Sequence, residues 1–142
     1  MKIWKHEATL EGLNNMSKNT LVEHLGIEFT EIGDDYLIAR MPVDKRTHQP
    51  VGLLHGGASV ALAESMGSTA SVLCLDDMTT HSVVGVEINA NHLKSVRTGW
   101  VYGTVKAIRV GRRIQVWNID IRNEAGDLCC VSRLTVAVVA LS

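Results

Sequence analysis

Apolar and polar residues alternate through much of the second half of this chain, and a period of two predicts strands. Val84, Val86 and Ile88 alternate with Gly85, Glu87 and Asn89, and Val101, Gly103, Val105 and Ala107 with Tyr102, Thr104 and Lys106. Trp117, Ile119 and Ile121 alternate with Val116, Asn118 and Asp120, and Leu128 to Leu141 reads as a last strand with Leu134, Val136 and Val138 on one face. The turn signals Arg109-Val110-Gly111-Arg112 and Asn123-Glu124-Ala125-Gly126-Asp127 punctuate these runs. Earlier, Ile27 to Glu31, the turn Gly33-Asp34-Asp35 and Tyr36 to Met41 read as a hairpin, with Leu37, Ala39 and Met41 on one face.

From His55 to Leu75 the alternation stops, and Ala, Ser, Val, Leu and Met follow one another. This is the only long helix, and its apolar character requires that it be wrapped on most sides. Thr9 to Asn14, with Thr9 as cap, and Leu21 to Leu25, ended by Gly26, read as short helices. Residues 42–54 form a long loop, the kind of segment that carries function. Hairpin, long helix, then four sequential strands contain no βαβ alternation, which excludes the doubly wound folds. The expected class is α+β, one helix across a twisted antiparallel sheet of about six strands whose last four form a meander. One helix leaves part of the sheet uncovered, and an oligomer would bury that face or the edges.

At 142 residues the chain is expected to form one domain, residues 1–142. A formal charge of -1 and the absence of a Lys/Arg block give no reason to expect nucleic acid. No segment approaches the ~20 apolar residues of a membrane span, and residues 1–20 lack the apolar stretch of a signal peptide, so a cytoplasmic location is expected. Cys74, Cys129 and Cys130 are too few and wrongly spaced for a disulfide framework or a metal knuckle. They read as small hydrophobes, and on a strand Cys129 and Cys130 would point to opposite faces.

The chemistry concentrates between Gln49 and Ser68. Gly56 and Gly57 open the helix with exposed N–H groups, and Glu64 is a carboxylate without a cationic neighbour in an apolar helix, costly unless paired or used. Gly57, Ala61, Glu64, Ser68 and Ser71 share one stripe. It either permits close packing around a paired interior carboxylate, or lines a pocket in which Glu64 is base or nucleophile and Ser68 places water. Gly56 and Glu64 lie roughly 12 Å apart along the axis, too far to touch one carbonyl. If both are catalytic, they come from different subunits with antiparallel helices. Gln49 is either an amide donor or a surface loop residue, and His55 either a donor to substrate or a local cap. His92, with Lys94, Arg97, Arg109, Arg112 and Arg113, forms either a basic rim for phosphates or solvated charges. Residues 49, 55, 64 and 92 lack the spacing of a zinc site, and no Gly-x-Ser-x-Gly elbow is present.

Met41-Pro42-Val43-Asp44, Leu53-Leu54-His55-Gly56-Gly57, Leu62-Ala63-Glu64, Gly67-Ser68, Asn89-Ala90-Asn91-His92 and Cys129-Cys130 together resemble the hotdog-fold acyl-CoA thioesterases. The resemblance, nearly chain-long, is strongest to the branch acting on 1,4-dihydroxy-2-naphthoyl-CoA in menaquinone biosynthesis and to the enterobactin-pathway proofreading enzymes. It implies a hotdog fold, homodimers assembling into homotetramers, no cofactor beyond the coenzyme A of the substrate, and a cross-subunit site. In that site Gln49, His55 and Gly56 hold the thioester, Glu64 is nucleophile or general base, and Ser68 helps place water. The nucleotide end of coenzyme A is expected near His92, Lys94 and Val110-Gly111-Arg112, with acyl carrier protein as the other delivery route. Val51 stands where close relatives have Phe beside the acyl pocket. The competing readings are a hotdog dehydratase or isomerase, and a non-catalytic acyl-CoA-binding dimer.

Overall fold

Two threonines start the first helices. In the computed structural model, which describes residues 1–142, Thr9 accepts the Gly12 N–H and caps α1 (Leu10–Met16), and Thr20 accepts the Val22 N–H and caps α2 (Leu21–His24). Gly26, at φ +76°, turns the chain out of α2. Strands β1 (Glu28–Ile32) and β2 (Tyr36–Pro42) then form the expected hairpin, and Leu37, Ala39 and Met41 are fully buried. The long helix α3 (Gly56–Leu73) follows, capped by His55. Four strands complete the chain: β3 (His81–His92), β4 (Trp100–Val110), β5 (Ile114–Asn123) and β6 (Leu128–Ala140). No helix is long and apolar enough to cross a membrane.

The six strands form one antiparallel sheet in the order β1-β2-β4-β5-β6-β3. This corrects the expected four-strand meander: only β4, β5 and β6 are sequential neighbours. Helix α3 carries the chain across the sheet to its far edge, where β3 pairs with β6 alone. Residues 93–99 then return to set β4 beside β2. A period of two reports which residues face the core, not which strand lies alongside.

Bulges account for the other departures. Between Gly85 and Glu87 the register with β6 shifts, so Gly85 pairs with Val136 and Ile88 with Leu134, while Val84 and Val86 are exposed at the sheet edge. A second shift opposite Ile121 and Arg122 leaves Cys129 outside the pairing ladder, which interrupts the regular alternation there, and Cys129 and Cys130 are both buried. The β4–β5 turn is shorter than expected, since Arg109 and Val110 still belong to β4.

Helix and sheet meet through small residues. A Cβ on Gly67 would lie 2.5 Å from Leu134 Cδ2, and one on Gly103 2.5 Å from Met66 Sδ, so both glycines allow a close approach. Ala63 and Ala70 are fully buried beside them. Ser71 lies on this packed side and donates to the Gly67 carbonyl, so it leaves the stripe expected to contain it; Glu64 and Ser68 stay half-exposed. Beneath the C-terminal half of α3, Trp117 is fully buried, donates to Gln115 Oε1 and stacks on Trp4 with ring centroids 6.3 Å apart. Gln115 Nε2 continues the chain of contacts to the Ser71 carbonyl.

The loop from Val43 to His55 is tied down rather than slack. Asp44 accepts from the Arg46 backbone and guanidinium, Thr47 donates to the Pro42 carbonyl, and the His55 N–H reaches Thr47 O. The Arg46 hydrogen bonds hold the Asp44 carboxyl at about 2, below its usual value of 3.8.

Replacing Trp117 by Ala removes a fully buried ring and should lower the unfolding free energy by about 3–5 kcal/mol, read from denaturant titration. Because the Asp44 pKa is depressed, its support of the loop is complete above the unfolded carboxyl's pKa and is lost as pH falls through about 2. NMR titration of Asp44 should show this, with the Arg46 amide losing exchange protection over the same range; in Arg46→Ala the Asp44 titration should return to the ordinary range.

Candidate active site

Helix α3 begins inside a cleft of about 350 Å³ lined by Gln49, Leu54, Gly56, Ser59, His92 and Lys94, among others. His55 acts as the cap, its Nδ1 accepting the Gly57 N–H at 2.8 Å. Within the protomer His55 is therefore a local tie, and the Gly56 N–H is the donor left without a partner. The Gln49 side-chain oxygen accepts from the Val51 and Leu53 N–H groups, which leaves its amide nitrogen free to donate. The cleft thus presents one backbone N–H at the positive end of an 18-residue helix and one amide N–H, a pair suited to a carbonyl oxygen gaining charge.

Glu64 lies two turns farther on. It is half-buried, forms no ion pair or hydrogen bond within the protomer, and its Oε2 faces the backbone of Gly85, where a Cβ would come within 2.5 Å. Ser68 is on the same side of α3 one turn later, and both line a depression of about 360 Å³ together with Leu13, Met16 and Thr69. Those last residues also border an apolar groove of about 600 Å³ that runs between α1 and the second half of α3 to Val72, Leu73 and Met78. The sequence reading missed this groove. Its signal was present in Leu13 and Met16, three apart on α1, facing the Thr69 and Val72 pair on α3.

The continuous helix puts about 12 Å between Gly56 and Glu64 along its axis, so the two do not meet within one protomer. The basic residues are divided as well. Val110, Gly111 and Arg112 line a cleft of about 360 Å³ at the C-terminal end of α3, beside Lys5 and His81. His92 and Lys94 lie at the other end of β3, whose 12 residues span roughly 35 Å. Lys94 is paired with Asp127 at 2.7 Å, which raises its pKa. One protomer therefore holds two separate basic ends and no single rim. Val51 lines none of these clefts and is 70% exposed at the loop tip. The cysteines are unsuited to nucleophilic work: burial pushes the Cys74 thiol up to about 11 and raises Cys129 and Cys130.

Comparison with known proteins agrees with this architecture. Residues 51–130 match the family model described as the thioesterase superfamily. The chain is 57% identical to 1,4-dihydroxy-2-naphthoyl-CoA hydrolase of Escherichia coli over 96% of this chain and 98% of that protein. It is 56% identical to the proofreading thioesterase EntH of Cronobacter turicensis over the same shares. The crystal structure of thioesterase HI1161 from Haemophilus influenzae, 55% identical, superimposes with a TM-score of 0.94 over 98% of this chain and 96% of that one. The Q49A variant of thioesterase PA1618 from Pseudomonas aeruginosa, 49% identical, gives 0.96 over 99% and 100%. The chain belongs to the thioesterase superfamily, has its hotdog fold, and is a thioester hydrolase.

Proposed function

We propose that this enzyme hydrolyses aromatic acyl-CoA thioesters, of the 1,4-dihydroxy-2-naphthoyl or hydroxybenzoyl type, to the free acid and coenzyme A at sites shared between two protomers. The observation that carries this reading is the rigid separation of two unpaired groups on α3, the Gly56 N–H and the Glu64 carboxylate. Two copies of α3 running antiparallel across a two-fold axis bring each Gly56 to the partner's Glu64 and make two equivalent sites.

The same axis accounts for the divided basic ends. The outer edge of β3 has no strand beside it and exposes Val84 and Val86. Antiparallel pairing of two such edges extends the sheet and buries both valines. It also brings the His92–Lys94 end of one protomer toward the Val110–Arg112 turn of the other, so a nucleotide lying there meets cationic groups from both. Pairs of such dimers complete the proposed homotetramer, and the same cleft admits an acyl group delivered on the phosphopantetheine of a carrier protein.

Hydrolysis then needs little from the chain beyond placement. The thioester carbonyl oxygen accepts from Gly56 N–H, with the Gln49 amide alongside, while His55 keeps the helix start in shape. Glu64 takes a proton from water placed by Ser68 as the water oxygen adds to the carbonyl carbon. Alternatively, its carboxylate adds first, and water cleaves the resulting anhydride. Collapse of the adduct breaks the C–S bond and releases thiolate, a leaving group good enough to need no strong acid. The name of the Escherichia coli relative supports a naphthoyl substrate. The apolar groove toward Met78 favours a second reading, an aliphatic acyl chain lying along α3.

Glu64→Gln should lower kcat by about 10²–10⁴ with an unchanged circular dichroism spectrum, because a positioned base contributes about that much; near-normal turnover would sink the assignment. Glu64→Ala and Gly56→Val, each inactive alone, should regain about a quarter of wild-type activity when unfolded and refolded together, since half the dimers are hybrids with one intact site of two. A site contained in one chain would regain nothing. Ranking acyl-CoA substrates by kcat/KM should place aromatic esters at least about tenfold above medium-chain aliphatic ones, a margin of roughly 1.4 kcal/mol in transition-state binding; the reverse order would select the groove reading.

A further inference from the structure

The three heavy atoms closest to a Cβ built on Gly56 all belong to the His92 ring: Nε2 at 2.8 Å, Cε1 at 3.2 Å and Cδ2 at 3.3 Å. Gly56 is not in a left-handed conformation, so its backbone does not demand glycine. What an added side chain would meet there is the tip of the His92 imidazole, which would have to shift to admit it. His92 pairs with Cys130 across the sheet, on the face that packs against α3. That register aims its ring across the cleft at the helix start, among Gln49 and Gly56. Nε2 has no hydrogen-bond partner within the protomer.

Resting on the proposed thioesterase site, we infer that His92 is a positioning residue at the thioester end, not a contact to the nucleotide phosphates. Its ring forms the wall opposite the Gly56 N–H and confines the carbonyl group between that donor and the Gln49 amide. Glycine at 56 and histidine at 92 are then one unit: the missing Cβ makes room for the ring, and the ring defines how closely the thioester approaches the N–H. A phosphate contact is the role of the cations farther out, Lys94 and the partner's turn.

Two substrates separate these roles, benzoyl-CoA and benzoyl-pantetheine, the second lacking the nucleotide. His92→Ala should lower kcat about tenfold on both, with little change in KM, the scale expected when a reacting group is held loosely. Loss confined to benzoyl-CoA and expressed in KM would overturn the inference in favour of a phosphate contact, and no loss on either would overturn it outright. A double-mutant cycle supplies the second readout. Gly56→Ala should cost much less activity in the His92→Ala background than in the wild type, because the clash is gone. Additive losses would also overturn the pairing of the two positions. Glu64→Gln assayed alongside keeps the questions apart: full activity in that variant condemns the proposed site built around Glu64, whereas its loss together with a negative His92 result condemns only the positioning role.

Discussion

Helix α3 lies against the sheet only because residues without bulk stand where the two surfaces meet. Gly67 gives its space to Leu134, Gly103 gives its space to Met66, and Ala63 and Ala70 fill the remainder of the seam. The hydrophobic payoff is a cluster that joins α3 to every strand except the outer part of β3, with Trp117 stacked on Trp4 beneath the helix. Close seating also makes the helix a stiff ruler. An 18-residue helix held along one side cannot bend to bring its first turn toward its third, so the Gly56–Glu64 separation is fixed by 1.5 Å per residue and nothing nearby relaxes it.

The side of α3 away from that close-packed seam is correspondingly incomplete. Ala61, Glu64, Ser65, Ser68 and Thr69 are half-exposed, and α1 covers only part of them. A carboxylate there has no cation and no hydrogen-bond donor of its own chain, an arrangement that stability alone does not favour. It is tolerable because the protomer leaves it partly hydrated, and its oxygens stay free of any partner within the protomer. The same division recurs at the helix start. His55 satisfies Gly57 and leaves Gly56 unsatisfied, so the cap consumes one donor and presents the other.

How much of this the sequence disclosed depended on whether the controlling interaction was local. Strands β2, β4, β5 and β6 were legible because one face of each is buried: Leu37, Val105, Ile119 and Leu134 mark their own orientation through a period of two. The threonine caps of α1 and α2 were legible because capping acts within three residues. Strand β3 was legible as a strand but not in its place, since pairing with β6 rather than β4 is decided by where α3 delivers the chain. Its bulge at Val86 and the one at Cys129 left no mark in the residue pattern, because a bulge answers to the partner strand. For the candidate site, the 12 Å spacing could be counted directly from residue numbers, and it already kept Gly56 and Glu64 from meeting within one chain. The contact between His92 and Gly56 could not be counted that way: it joins residues 36 apart, through a strand register that only the folded sheet defines.

That last contact bears on why the motif contains two glycines in succession. Gly57 would meet the His55 ring, with Nδ1 and Cε1 at 2.9 Å from an added Cβ, just as Gly56 would meet the His92 ring. Each glycine therefore yields space to an imidazole, Gly57 to that of His55 two residues before it and Gly56 to that of His92 on the strand at the far edge of the sheet. Both histidines thus stand against the first turn of α3. The opening turn of the helix is consequently held by side chains rather than by its own bulk, and the small residues do more than expose backbone to a ligand. They make room for two rings beside the one backbone N–H that remains unpaired, and in the proposed reaction that crowding would supply the preorganisation that a donor aimed at developing charge requires.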